Sequence, residues 1–160
     1  MLQSSSLWRF FGAAPGDKLI ALEAVVELVK ARMSTLGSAK HFTSYMGALD
    51  GTPIAANAEQ QRRAARIGYV VAQTARLMPF RCVCLQQVLA VREMLKRRHI
   101  PATVYLGVLP DEMVSTGVAD RHKQQSSTGA VAHAWIKSGD RVINGETPDL
   151  GNYVVLGIFS

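Results

Sequence analysis

Cys84 and His133 are the two residues of this chain best placed to do covalent chemistry near neutral pH. Cys84 falls in the first turn of a helix that follows Pro79, and His133 lies in the strand-like run Ala132-His133-Ala134-Trp135-Ile136. Backbone N–H groups and the positive end of the helix dipole favour a thiolate at a helix start, and thiolate is the nucleophilic form. The same amides can stabilise an oxyanion. Cys82 competes for the role. If the helix starts at Val83, Cys82 is a cap and points elsewhere. An imidazole has a resting pKa suited to deprotonating a thiol. The bland alternative is a small buried cysteine and a structural strand histidine, and it predicts that Cys84 and His133 lie far apart.

A third member follows from hairpin register. Ser138-Gly139-Asp140 is a turn signal between two short strands. With a two-residue loop at Gly139-Asp140, Ser138 faces Arg141, Trp135 faces Asn144, and His133 faces Glu146. Alternation then puts His133, Trp135, Asn144 and Glu146 on one face, so Asn144 or Glu146 could orient the imidazole. A three-residue loop would slip the register and present Ile143 and Gly145 instead. Asp140 stays in the turn, too far along the strand to serve easily. Trp135 is expected to pack beside His133 and shield the pair from water.

The elements that carry these residues are readable in outline. Asp17 is a candidate N-cap, followed at helical spacing by Leu19, Leu22, Val25, Val26, Val29, Met33 and Leu36, with Gly37 as the stop. A weaker helical piece covers Lys40 to Leu49. After the turn cluster Asp50-Gly51-Thr52-Pro53, a helix is expected from about Ala58 to Leu77, its buried stripe formed by Ala64, Ile67, Val70, Val71 and Ala75. Another runs from about Cys82 to Arg98 and ends in the basic run Lys96-Arg97-Arg98. Strands follow at 103–108, 130–137, 141–144 and 153–159, with a long polar loop from Asp111 to Gly129. Helices first and strands later give an α+β domain with an antiparallel sheet. The expected division is an N-terminal helical annex over 1–50 and a core over 51–160.

Composition narrows the function. The chain has 160 residues, 48% of them hydrophobic, with 18 basic against 12 acidic residues and a net charge of +6. That suits one domain with an acidic partner or surface. Two cysteines two residues apart exclude a disulfide scaffold and suggest a reducing compartment, here the cytoplasm. They also fall short of the roughly four ligands of a structural zinc site. No Gly-rich phosphate loop, nucleic-acid signature or transmembrane run is present, so no cofactor, metal or nucleic acid is expected. The clusters Arg62-Arg63-Arg66 and Lys96-Arg97-Arg98 read as solvated helix faces or as contacts for an acidic leader or partner. Trp8-Arg9-Phe10-Phe11 is a second candidate docking segment.

A nucleophile at a helix start, a histidine on a later strand and a polar orienter on the next is the papain and transglutaminase order. The specific residues resemble one family. Leu77-Met78-Pro79, Cys84-Leu85, Leu89-Ala90, Met94-Leu95-Lys96-Arg97-Arg98, Gly107-Val108 and Ala132-His133-Ala134-Trp135-Ile136 together look like the leader peptidase of lasso-peptide biosynthesis. The matching residues are Cys84, five after Pro79, and His133. Three features depart from the family pattern. His99 stands where a glycine is usual, the loop before the histidine box is long, and Gly145 stands about where many members have the acidic triad residue. The candidates for the third role are therefore Asn144, then Glu146, then Asp140.

The resemblance implies a transglutaminase-like, papain-related fold and a cysteine peptidase. Such an enzyme cuts the bond between leader and core of a precursor peptide. A separate ATP-dependent cyclase then closes the macrolactam ring, and a small leader-binding recognition protein delivers the precursor. With no domain left over for leader recognition, that protein is expected to be a stand-alone partner, docked on the helical annex. Two competing readings remain open at this level. One is a transglutaminase-like acyltransferase using the same Cys-His pair, and the other is a non-catalytic basic binding module.

Overall fold

The computed structural model describes residues 15–36, 49, 51–109, 124–125 and 131–160. Helix α1 spans Pro15–Leu36. Asp17 is thus not its N-cap but lies in the first turn, where the missing N–H of Pro15 costs no hydrogen bond. The Asp17 carboxylate accepts from Arg66 Nε at 2.6 Å. The face that α1 buries is made of Ala21, Ala24, Leu28 and Ala31, small residues that let it sit close to its neighbours. Leu19, Leu22 and Met33 face outward.

Helix α2 spans Ala58–Leu77 and begins with a reciprocal capping box. Gln60 N–H donates to Asn57 Oδ1, and Asn57 N–H donates to Gln60 Oε1, both at 2.9 Å. Its expected stripe of Ala64, Ile67, Val70, Val71 and Ala75 is buried. Helix α3 spans Cys84–Lys96. Its basic end is tied to α1. Arg97 pairs with Glu23 and Glu27, and Arg98 pairs with Glu23. The Arg98 guanidinium, hydrogen-bonded to Glu23, holds that carboxyl below its ordinary value. The turn beyond α3 puts His99 at a φ of 53°, the left-handed conformation usual for glycine.

The strands are β1 (Thr103–Leu109), β2 (Gln124–Gln125), β3 (Val131–Ser138), β4 (Arg141–Asn144) and β5 (Val154–Phe159). All pairings are antiparallel. β3 pairs with β1 along one edge and with β2 and β4 along the other, and β1 pairs with β5. Ala134 and Ile136 point from β3 into the core with Leu28, Val71, Leu89 and Met94. Trp135 points the other way and clusters with Leu109 and Tyr153. Among the described residues the architecture is α+β: α2 and α3 pack on one face of an antiparallel sheet, and α1 packs on those two helices. Among the described residues, no helix is long and apolar enough to cross a membrane. The helical piece expected over 40–49 lies outside the described residues except for Leu49, which bridges to Phe159. The polar loop and the Trp8-Arg9-Phe10-Phe11 segment also fall outside them, save for β2.

Candidate active site

The start of α3 is held by two glutamines. Gln86, at the third helical position, accepts from Val83 N–H at 3.2 Å with its Oε1. Its Nε2 donates to Thr35 Oγ1 of α1 at 2.9 Å. Gln87 Nε2 donates to the Cys82 carbonyl at 3.1 Å. Cys82 and Val83 thus leave Pro79 in a fixed path, and Cys84 enters the helix as its first residue. Sequence reasoning passed over both glutamines. The third-position glutamine after a helix start is the signal that could have found Gln86.

Cys84 is largely withdrawn from water, which by itself pushes its thiol up. A hydrogen bond to the His133 side chain, the N–H groups of Ala134 and Leu85, and attraction to His133 outweigh burial, so the thiol sits below its ordinary value. Burial pushes Cys82 the opposite way, with only partial relief from Arg32. The two thiols therefore differ in character despite their spacing. The helix begins at Cys84, which leaves Cys82 outside it.

His133 is buried, and its Nε2 lies 2.7 Å from the Gly145 carbonyl oxygen. A carbonyl only accepts, so Nε2 donates to it, and Nδ1 is the nitrogen that can take the thiol proton and, once protonated, attract the thiolate. Aromatic neighbours hold the ring. Trp135 stacks at 6.0 Å between centroids with 19° between planes, and Tyr153 lies at 5.3 Å. The structure thus brings Cys84 and His133 together, against the large separation expected of a merely buried cysteine.

The third position differs from the register expected for β4. The loop has two residues, and Ser138 does face Arg141. Past Lys137↔Val142, however, the next pair is Ile136↔Asn144. A bulge puts one extra residue in β4, and a one-residue slip reverses the face on which a side chain lies. Asn144 therefore pairs with Ile136 rather than Trp135, and its Nδ2 lies 3.5 Å from the Gly68 carbonyl of α2. Glu146 is exposed along the groove described below, and Asp140 is exposed in the hairpin turn. Five residues of strand separate that turn from His133, about 17 Å at the usual rise.

What reaches the imidazole is the backbone of Gly145. Its φ is 82°, and a Cβ there would lie 2.5 Å from the Ala134 carbonyl oxygen. Only glycine gives the chain this approach. The bulge has the same outcome as a three-residue loop, since it presents Gly145 in place of a side chain. Gly68 makes the matching approach on α2, where a Cβ would run into the Ile143 carbonyl oxygen.

Cys84 and His133 line two concavities. An open groove of about 1270 Å³ runs past Cys84 and His133 between α2 and β4, with Arg76, Arg81, Arg141 and Glu146 on its walls. A smaller hollow of about 330 Å³ on the β5 side is lined by Leu85, Leu106, Leu156 and Phe159 together with Cys84 and His133. Among the described residues, no group of three or more metal-binding side chains is present.

A family model described as the transglutaminase-like superfamily matches residues 25–157. The match begins inside α1 and ends inside β5, so it includes both Cys84 and His133. No curated protein and no solved structure matches the chain.

Proposed function

The chain belongs to the transglutaminase-like superfamily, and from that premise we propose that it is a cysteine peptidase that removes the leader from a lasso-peptide precursor. The observation that carries the reading is the hydrogen bond between the Cys84 side chain at the start of α3 and an imidazole that Gly145 also holds. The superfamily holds peptidases and acyltransferases. The residue pattern around Cys84 and the Ala132–Ile136 box favours the peptidase.

In this mechanism His133 Nδ1 takes the thiol proton and the thiolate attacks the scissile carbonyl. Amides at the α3 start face the oxyanion. The C–N bond breaks, His133 returns the proton to the leaving amine, and an S-acyl enzyme remains. Water gives its proton to Nδ1 and attacks the thioester. A C–O bond replaces the C–S bond, the expelled thiolate takes the proton back from Nδ1, and the leader leaves as an acid that loses its remaining proton to solvent. The freed core amine is the group a separate macrolactam cyclase would consume. The Gly145 carbonyl orients the imidazole, the role the sequence reserved for Asn144, Glu146 or Asp140. Asn144 and Glu146 are groove walls in this reading, and Asp140 is a turn residue. A small leader-binding protein delivers the precursor, and the setting is the cytoplasm, in keeping with two free thiols.

The test is mass spectrometry of precursor peptide incubated with wild type or Cys84→Ala, with and without the leader-binding protein. Wild type is expected to release leader and core, and Cys84→Ala to release neither. Cleavage by the variant would overturn the mechanism. An amide-linked product in the presence of an added amine would transfer the assignment to an acyltransferase.

A further inference from the structure

Helix α1 carries two seams on opposite faces. The inner one, Ala21, Ala24, Leu28 and Ala31, is at most 3% exposed and packs into the core. The outer one is Leu19, Leu22, Val26, Val29, Met33 and Leu36, each between 42% and 72% exposed. The steps between these six residues are three, four, three, four and three. That is the a/d pattern of two and a half heptads, the spacing by which one helix packs knobs into the holes of another. A helix apolar all round is ordinarily covered on all sides. Here, among the described residues, the larger apolar side chains of α1 are the exposed ones. With Val25 beside them, they form a patch on the order of the ~800 Å² that each partner gives to a standard interface.

The borders of the seam select the occupant. Lys18 and Lys30 stand on its two sides at the positions flanking a and d. The nearby carboxylates, Glu23 and Glu27, are already engaged. Glu23 is bound by Arg97 and Arg98, and Glu27 by Lys30 and Arg97. Arg32 stands at a flanking position too, so the rim sets five cations against two carboxylates. A second copy would bring the same excess of positive charge to the seam, which disfavours self-pairing. We propose that the outer face of α1 is a docking seam for an amphipathic helix of another protein, with acidic residues flanking its apolar stripe. The seam lies on the face of α1 opposite the one that packs on the catalytic core, so the inference stands whatever reaction Cys84 performs.

The probe is a synthetic three-heptad peptide with Leu at a and d and Glu at e and g, fluorescein-labelled. A twin carries Lys in place of Glu. Fluorescence anisotropy is read with the full chain, and its mass in solution is measured in parallel. The acidic peptide is expected to bind at least about tenfold more tightly than its twin and to weaken with salt. Leu22→Glu should reduce that binding by about tenfold or more. Met33→Gln, a milder change at an exposed site, should reduce it without altering the thermal midpoint. Equal binding of the two peptides, or binding indifferent to both variants, would overturn the proposal. So would a dimer of the free chain that Leu22→Glu dissolves, because the occupant would then be a second copy.

Discussion

The Nε2 of His133 is held by the backbone carbonyl oxygen of Gly145 at 2.7 Å. A carbonyl cannot be protonated in the working range, so this restraint on the ring does not titrate. It keeps a proton on Nε2, and it depends on a backbone path open only to glycine.

Gly145→Ala is therefore expected to damage the site from a position that contributes no side chain. The added Cβ would meet the Ala134 carbonyl and Trp135 Cα at 2.5 and 2.8 Å, forcing β4 away from β3. A displacement of about 1 Å can cost on the order of 100-fold in rate. Turnover of the precursor should fall by that order, and the pH at which Cys84 becomes reactive should rise. Asp140→Asn, in the exposed turn, should change turnover less than about twofold. An inactive Asp140→Asn beside an active Gly145→Ala would restore Asp140 to the third role.

The two cysteines should separate in a pH series of iodoacetamide labelling, with each site followed by mass spectrometry. The sign follows from opposite shifts. Cys84 sits below the ordinary thiol value because its contacts outweigh burial, so its labelling should rise at lower pH. Cys82 sits above that value because of burial, so its labelling should lag. His133→Ala removes the main contact and leaves burial, and should move the Cys84 profile upward. The same shift bears on stability. A thiol lowered by folding contributes stability above its unfolded titration point, and that contribution is lost as the pH falls through the folded value. Identical profiles for the two thiols would remove the basis for Cys84 as nucleophile.

Gln86→Ala should lower both stability and reactivity. It removes the acceptor for Val83 N–H and the donor to Thr35, so groups at the α3 start and on α1 lose their partners. Leaving such groups unsatisfied costs about 1–3 kcal/mol. Urea unfolding should show that loss, and Cys84 labelling should slow at fixed pH. A stability loss with unchanged labelling would confine Gln86 to a structural role.

His99→Gly should stabilise the chain. A non-glycine residue in the left-handed region costs about 1–2 kcal/mol, and part of that gain is offset by the greater freedom of glycine when unfolded. An upward shift of the urea midpoint is expected with no change in Cys84 labelling. A downward shift would show that the His99 side chain contributes more than its backbone strain costs.

The chain by itself determined its element types and most of their bounds. Local rules suffice for these, since caps, proline stops, turn residues and periodicity act over a few positions. That is why α2, β4 and the helix-start position of Cys84 could be read directly. Periodicity marked one stripe of α1, from Leu19 to Leu36, and the structure turns that stripe outward and buries Ala21, Ala24, Leu28 and Ala31 instead. That choice depends on how closely α1 must approach α2 and α3, and only the alanine face fits. The orienter of His133 was beyond local reading for a related reason. The hairpin loop was anticipated correctly, yet the bulge after Val142 arises where β4 must pair with β3 while lying against Gly68 of α2. One extra residue sends Asn144 toward α2 and brings the Gly145 carbonyl to the imidazole. Tertiary packing made that decision, because strand register answers to both neighbours at once.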